Sequence, residues 1–155
     1  MVDLVAIGVS VLQTYGLAGL AVVAFFSASL LPFPSEPIIV LASKYFDFWS
    51  IVAVVTVAST IAAYINYYVG LKGIHSFLVK RDPQGEHKAE GWFKSWGSIV
   101  LVVSPWVPFV GDLIPVAAGT LEMDWKKFLV LIVIARIIKT AAVVWFGQQL
   151  WIFMG

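Results

Sequence analysis

Two proline-containing apolar stretches decide the fold: LPFPSEPIIVLAS at residues 31–43 and PFVGDLIPVAAG at residues 108–119. Each interior proline removes a helical hydrogen bond and clashes with the preceding turn, so neither stretch suits a straight spanning helix. Irregular backbone facing lipid would leave polar groups unpaired. We therefore predict two re-entrant helical hairpins, each with its tip buried in protein or facing a wet cavity. The predicted tip residues are Pro32, Pro34, Ser35, Pro108 and Gly111.

The two stretches match each other at an offset of 76 residues. Pro32 aligns with Pro108, and the acid Glu36 aligns with the acid Asp112. A hairpin returns to the side it came from, and one apolar span separates the two hairpins. They are therefore expected to enter the membrane from opposite faces. This is the inverted-topology repeat that many transporters use.

The composition is that of a membrane protein. Of 155 residues, 61% are apolar and 12% are charged, and the mean hydropathy is +0.94. These values argue against a soluble enzyme, a disordered chain and a nucleic-acid binder. Residues 50–70 and 128–147 fit simple spanning helices of about 20 residues. For residues 2–14 the sequence allows two structures: an interfacial helix, or an extension that lengthens the first hairpin arm into a span.

These patterns predict an all-α integral membrane protein of one polytopic domain, residues 1–155. Its first repeat covers about 15–70, and its second covers about 97–150. Residues 71–96 mix charged and aromatic side chains, which indicates amphipathic helices on the membrane surface. Seven Lys or Arg side chains lie in residues 71–96 and in the turn after the second hairpin, against Lys44 alone on the other face. This bias predicts a multi-pass cell-membrane protein with the 71–96 connection in the cytoplasm.

Four ionisable residues are predicted at membrane depth: Glu36, Asp112, Arg136 and Lys139. Each costs several kcal/mol there unless it pairs or lines a wet path. Arg136 and Lys139 are three residues apart and share a helix face. We expect them to meet the two acids, whose half-helix N-termini would favour an anion. In the alternative reading, the acids only cap helices and neutralise the bases.

Three further side chains are weaker candidates for lining a cavity: Trp106, Thr140 and Asn66. The chain has no Cys and two His, so we predict no metal site, no cofactor and no catalytic residue. The expected partners are membrane lipids, with protons as a coupling ion and no nucleic acid. A homo-oligomer is left open.

The chain resembles a known family through these same residues. Residues 31–41 are similar to the first signature of the DedA family, in the VTT (SNARE-associated Golgi protein) superfamily. Residues 108–119, followed by Phe128, are similar to the second, and Gly111-Asp112 is nearest to the short YqaA-like branch. The resemblance implies two re-entrant hairpins in inverted repeats and the movement of lipids between leaflets. Where many members have an arginine pair in the second hairpin, this chain has Pro105 and Gly111.

The sequence therefore predicts a DedA-type transporter that moves an anionic, phosphate-bearing lipid between leaflets. The residues predicted to couple protons or bind the substrate are Glu36, Asp112, Arg136 and Lys139. One alternative is a proton-coupled exporter of small amphipathic cations. Another is a membrane assembly factor that transports nothing. The sequence argues against a membrane enzyme that acts on lipid headgroups, because it has no recognisable arrangement of a nucleophile or of metal ligands.

Overall fold

The computed structural model describes residues 3–29, 34–72, 83–107 and 110–155. Within these ranges the regular structure is helical throughout, and no strand occurs. The helices are α1 (Leu4–Ala28), α2 (Glu36–Ala42), α3 (Phe48–Leu71), α4 (Pro83–Trp96), α5 (Val100–Val103), α6 (Val110–Thr120) and α7 (Trp125–Met154). Short 3-10 helices, Gly97–Ile99 and Ser104–Trp106, flank α5.

By length and composition alone, three of these helices could cross a membrane: α1, α3 and α7, with 25, 24 and 30 residues. Helix α1 is divided by a break at Gly16, so it is not one straight span. The predicted spans at 50–70 and 128–147 are confirmed as parts of α3 and α7. An aspartate begins each of these two helices. The Ser50 N–H donates to Asp47 Oδ2 at 2.9 Å, and the Lys127 N–H donates to Asp124 Oδ1 at 2.9 Å. Such caps satisfy backbone donors that have no partner inside the helix.

A break divides α1 at Gly16, where φ is 57° and ψ is −131°. This left-handed conformation is available to glycine at little cost. The helix folds back on itself so closely that a Cβ on Gly19 would overlap the Val11 carbonyl oxygen. Each half of α1 is therefore roughly 18 Å long, at 1.5 Å per residue. Residues 4–15 are helical, as both sequence alternatives for this segment required.

The proline-containing stretches form short helices. Helix α2 has 7 residues and α6 has 11, so their lengths are roughly 10 and 17 Å. Both are shorter than the hydrocarbon core of about 30 Å. Pro115 lies inside α6. The predicted tip residues Pro32 and Pro108 lie outside the described residues.

The chain divides into two compact units. The first comprises residues 1–59 and 137–155 and so contains α1, α2, the first half of α3 and the second half of α7. The apolar core of this unit joins side chains from all four segments. Its buried members include Leu20, Ile38, Ile51 and Val144, none of which is exposed to solvent.

The second unit comprises residues 60–136. Helix α4 packs against α6 in this unit. Ala89 and Phe93 of α4 are buried, while Lys88, Lys94 and Trp96 of the same helix are exposed. The expected amphipathic character of the connection is therefore present in residues 83–96. Phe128 and Tyr67 stack at a centroid distance of 4.6 Å in the same core.

Each short helix lies against a spanning helix with backbone nearly touching backbone. In the second unit, a Cβ on Gly119 of α6 would overlap the Tyr67 carbonyl oxygen of α3, and one on Gly70 would overlap the Val116 carbonyl oxygen. In the first unit, a Cβ on Gly147 of α7 would come within 3.2 Å of Val40 Cα in α2. Val40 corresponds to Val116 in the predicted repeat. Each unit therefore joins the short helix of one sequence repeat to the long helix of the other.

We predict that Gly119→Leu destabilises the protein by at least about 2 kcal/mol, because the added side chain forces α6 away from α3. The measurement is the thermal unfolding midpoint of the purified protein in detergent. Gly91→Ala is the matched control, because no atom lies within 4 Å of a Cβ added there. Equal midpoints for the two variants would contradict the close α3–α6 crossing.

Candidate functional site

An acid and a base from distant parts of the sequence form an ion pair in the first unit. Lys139 Nζ of α7 donates to Glu36 Oε1, at the start of α2, over 2.6 Å. Side-chain exposure is 20% for Lys139 and 47% for Glu36. The distance is short even for a charge-assisted hydrogen bond, and the pair is open on the Glu36 side. The predicted pairing of this acid with a base on the last helix is therefore observed.

Two serines lie beside this pair. Ser27 Oγ, near the end of α1, donates to Ser35 Oγ over 2.9 Å. Ser35 is buried and occupies the N-cap position of α2, but its side chain makes no capping bond. Pro37 follows Glu36 in the first turn, where a missing N–H costs little. Pro34, another predicted tip residue, is half-buried.

The far end of α2 is also fixed to α7. Trp151 Nε1 donates to the Val40 carbonyl oxygen over 2.9 Å, and Lys44 Nζ lies 4.8 Å from the Trp151 ring centroid. Together with the Gly147 crossing, these contacts fix the α2 backbone along the second half of α7. The Glu36–Lys139 pair is thus the polar end of a tightly packed helix pair.

The second unit contains the other predicted pair. Arg136 Nη2 lies 3.8 Å from Asp112 Oδ1, and the two side chains are 8% and 28% exposed. Asn66 Nδ2 of α3 donates to the Asp112 carbonyl oxygen at 3.5 Å. This pair is longer and more enclosed than the first. Asn66 was predicted to line a cavity, and the structure places it against the backbone of the predicted acid.

The structure places the predicted tip residue Gly111 within α6, next to Asp112. Its backbone is not left-handed. A Cβ at this position would overlap the Ser104 carbonyl oxygen, in the 3-10 turn that precedes α6. Glycine is therefore required by the close approach of two chain segments rather than by a left-handed conformation.

The remaining candidates are placed more simply. Thr140 is buried next to Lys139 on α7. Trp106, at the end of a 3-10 helix, has a side chain about half exposed. Within the part of the chain that the structure describes, no group of three metal-ligating side chains occurs. Whether the two ion pairs line one cavity stays a prediction.

Sequence reasoning missed two parts of the site. The bond from Ser27 to Ser35 joins α1 to the start of α2, and it depends on how these two segments pack. The Trp151 indole N–H binds the Val40 carbonyl oxygen inside the first unit, although a tryptophan near the end of an apolar helix is also typical of a membrane interface. A polar group near the end of an apolar helix gives no sequence signal of its partner.

The chain is similar to a known domain family and to several known proteins. The sequence profile of the VTT domain matches residues 33–149, which is most of the chain. Inner membrane protein YqaA of Escherichia coli strain K12 is 30% identical over 121 residues, covering 77% of this chain and 82% of that protein. Undecaprenyl phosphate transporter A of Bacillus subtilis strain 168 is 31% identical over 103 residues, covering 61% of this chain and 50% of that protein.

A third similar protein has an enzyme-like name. Alkaline phosphatase-like protein of Lactococcus lactis subsp. cremoris is 25% identical over 158 residues, covering 92% of this chain and 74% of that protein. No solved structure matches the chain significantly. The match to the VTT domain covers both ion pairs, because all four charged residues lie between 33 and 149.

We predict that Glu36→Gln destabilises the protein by about 1–3 kcal/mol, because the largely buried Lys139 ammonium loses its charged partner. Lys139→Met combined with Glu36→Gln should cost less than the sum of the single changes, by about 1 kcal/mol. The measurement is a double-mutant cycle on unfolding in detergent. Strictly additive costs would contradict a direct interaction between these two side chains.

Proposed function

Because the chain belongs to the VTT domain family, the DedA family of membrane proteins, we propose that it moves an anionic, phosphate-bearing lipid between the leaflets of a membrane. The observation that carries this proposal is the pairing of each acid on a short helix with a base on α7. Charged side chains in apolar helices are costly and are retained mainly where an ion or polar ligand passes.

The two bases suit a phosphate. Arginine presents a planar fork of donors that matches phosphate oxygens, and lysine presents a compact charge on a flexible stem. Both lie on α7, and each pairs with a carboxylate. Undecaprenyl phosphate transporter A, one of the similar proteins, carries a lipid phosphate in its name. That name supports the substrate class proposed here.

The proposed architecture is a pair of re-entrant hairpins in an inverted repeat. Helices α2 and α6 are too short to span a bilayer, and each begins with or close to an acid. The same close crossing recurs in each unit, at Val40 with Gly147 and at Val116 with Gly70. This recurrence supports the repeat. A hairpin tip at membrane depth would give a lipid headgroup a polar route while its acyl chains stay in the bilayer.

Proton coupling is part of the proposal. An acid that binds a proton when its base engages a ligand would link proton movement to lipid movement. The chemistry required of the protein is binding and release, without covalent steps. We therefore propose a transporter and not an enzyme.

We expect purified protein in liposomes to speed the movement of fluorescent phosphatidylglycerol between leaflets at least tenfold over protein-free vesicles. The measurement is the loss of fluorescence when an impermeant reductant reaches the outer leaflet. Phosphatidylcholine with the same label should move more slowly, because its headgroup carries no net negative charge. Arg136→Met should reduce the phosphatidylglycerol rate at least tenfold.

The same vesicles distinguish the other functions. A flux of amphipathic cations driven by a pH gradient, without lipid movement, would indicate the exporter. Release of the lipid headgroup or of inorganic phosphate would indicate an enzyme. Absence of all three would contradict the transport proposal and favour an assembly factor.

The proposed topology places the 71–96 connection in the cytoplasm. The natural chain has no cysteine, so a single introduced cysteine reports its own position. Lys88→Cys in α4 should react with an impermeant maleimide only after the cells are made permeable. Lys44→Cys, beyond the opposite end of α3, should react in intact cells. The reverse pattern would contradict the proposed orientation.

A further inference from the structure

Resting on the proposed function, we propose that Lys139 is the residue that binds the ligand's phosphate, and that Glu36 is its internal competitor. The Glu36 carboxylate occupies the place on Lys139 that a phosphate oxygen would take. One proton is taken up by Glu36 for each monoanionic headgroup bound. Although the Arg136 guanidinium also has donors of the kind that bind phosphate, we assign the more enclosed Arg136–Asp112 pair a different task, which is to position α6 in the second unit.

The Glu36–Lys139 pair is open to a ligand from the Glu36 side. Glu36 is 47% exposed on its side chain, so one side of the ion pair is open. A half-open carboxylate whose bond to Lys139 joins two flexible side chains can be displaced without unpacking a core. In contrast, the Arg136 side chain is 8% exposed, and Asn66 binds the backbone of its partner Asp112. Displacing Asp112 would disturb the α3–α6 contact as well as the ion pair.

A lysine suits this exchange better than an arginine does. A lysine ammonium has three rotatable donors on four methylene groups, so it can follow a headgroup as it moves. An enclosed guanidinium in a fixed plane cannot do this without losing its contacts. The α2 backbone is meanwhile fixed at its far end by Trp151 and Gly147. The exchange therefore needs only side-chain movement at Glu36 and Lys139.

Glu36 and Lys139 balance each other's charge inside the first unit. No other charged side chain lies within its helical segments α1, α2, residues 48–59 of α3 and residues 137–154 of α7. The charges at the ends of these segments have their own contacts. Asp3 caps α1, Asp47 caps α3, and Lys44 lies over the Trp151 ring. The tyrosines of this unit, Tyr15 and Tyr45, are more than half exposed.

Lys139 is thus the cation that the structure pairs with Glu36, whereas Arg136, one turn earlier on α7, is paired with Asp112. A phosphodiester monoanion placed on Lys139 beside an ionised Glu36 would leave one uncompensated negative charge in an apolar region. Like charges at such a distance favour protonation of the carboxylate. Glu36 then becomes a neutral carboxylic acid, Lys139 stays an ammonium, and the phosphate keeps its charge. Binding therefore takes one proton from solution, and release returns it.

The test measures binding and proton uptake together, with the whole protein in detergent and without any transport step. The probe is dihexanoyl phosphatidylglycerol, whose phosphodiester does not titrate near neutral pH. Binding is followed by calorimetry, and proton uptake by a pH indicator in weakly buffered solution. We expect about one proton per ligand for the natural protein. Dihexanoyl phosphatidylcholine should bind at least tenfold more weakly.

The variants separate the two roles. Glu36→Gln should bind phosphatidylglycerol without proton uptake, and its affinity should no longer fall as pH rises. Lys139→Gln should lose at least tenfold in affinity, and Lys139→Arg should recover part of that loss. Lys44→Gln, the other cation of the first unit, should match the natural protein in binding and in proton uptake. A folded state is checked for each variant by its unfolding midpoint.

Three results would overturn the proposal: absence of phosphatidylglycerol binding to the natural protein, binding without proton uptake, or uptake that persists in Glu36→Gln and disappears in Asp112→Asn. Each is separable from failure of the proposed function. Lipid movement in liposomes without proton uptake on binding would leave transport standing and remove the exchange. Binding with proton uptake but without lipid movement would do the opposite.

Discussion

A charge inside an apolar helix is stable only when an opposite charge or water lies within reach. This constraint organises the described structure. Glu36 and Asp112 lie at or near the start of helices too short to cross a membrane, and each meets a base of α7. The rest of the packing brings these groups together. Helix α2 lies along α7, and α6 lies along α3, with glycines where side chains would otherwise separate them.

Much of the fold could be predicted from the sequence because its signals are local. Uninterrupted apolar runs predicted α3 and α7, and the prolines in two other runs, 31–43 and 108–119, predicted interrupted helices. The pairing of Glu36 and Asp112 with bases on the last helix could be predicted because an isolated charge in lipid has a high free-energy cost. The family resemblance is also confirmed, because the VTT domain match, residues 33–149, covers most of the first signature and all of the second.

Other features depend on which segments meet in space, and the sequence has no local signal for them. The break at Gly16 requires a left-handed glycine, but glycine is common in apolar helices for other reasons. Gly111 illustrates the same difficulty, because its role depends on the Ser104 carbonyl oxygen and not on its own backbone angles. The division into two units, each joining a short helix to the long helix of the other repeat, also follows from packing. Three features stay predictions: the single domain, the inverted topology of the two repeats, and a cavity shared by the two ion pairs.

The two ion pairs differ in a way that gives them different proposed roles. The pair in the second unit is enclosed and joined to α3 through Asn66, as suits a group that holds a helix in place. The pair in the first unit is short, partly open and built on a flexible base, as suits a group that exchanges partners. A simple structural role for both pairs would not require this difference.

The most direct measurement is lipid movement by the doubly neutral variant, Glu36→Gln with Lys139→Met, in liposomes containing labelled phosphatidylglycerol. Removing both charges takes away the ion pair without leaving a charge unpaired, so the variant should stay folded and cost less stability than the two single changes added together. We predict that this folded variant fails to move the lipid. Movement at the natural rate would contradict the account, because the pair would then serve only to neutralise two charges.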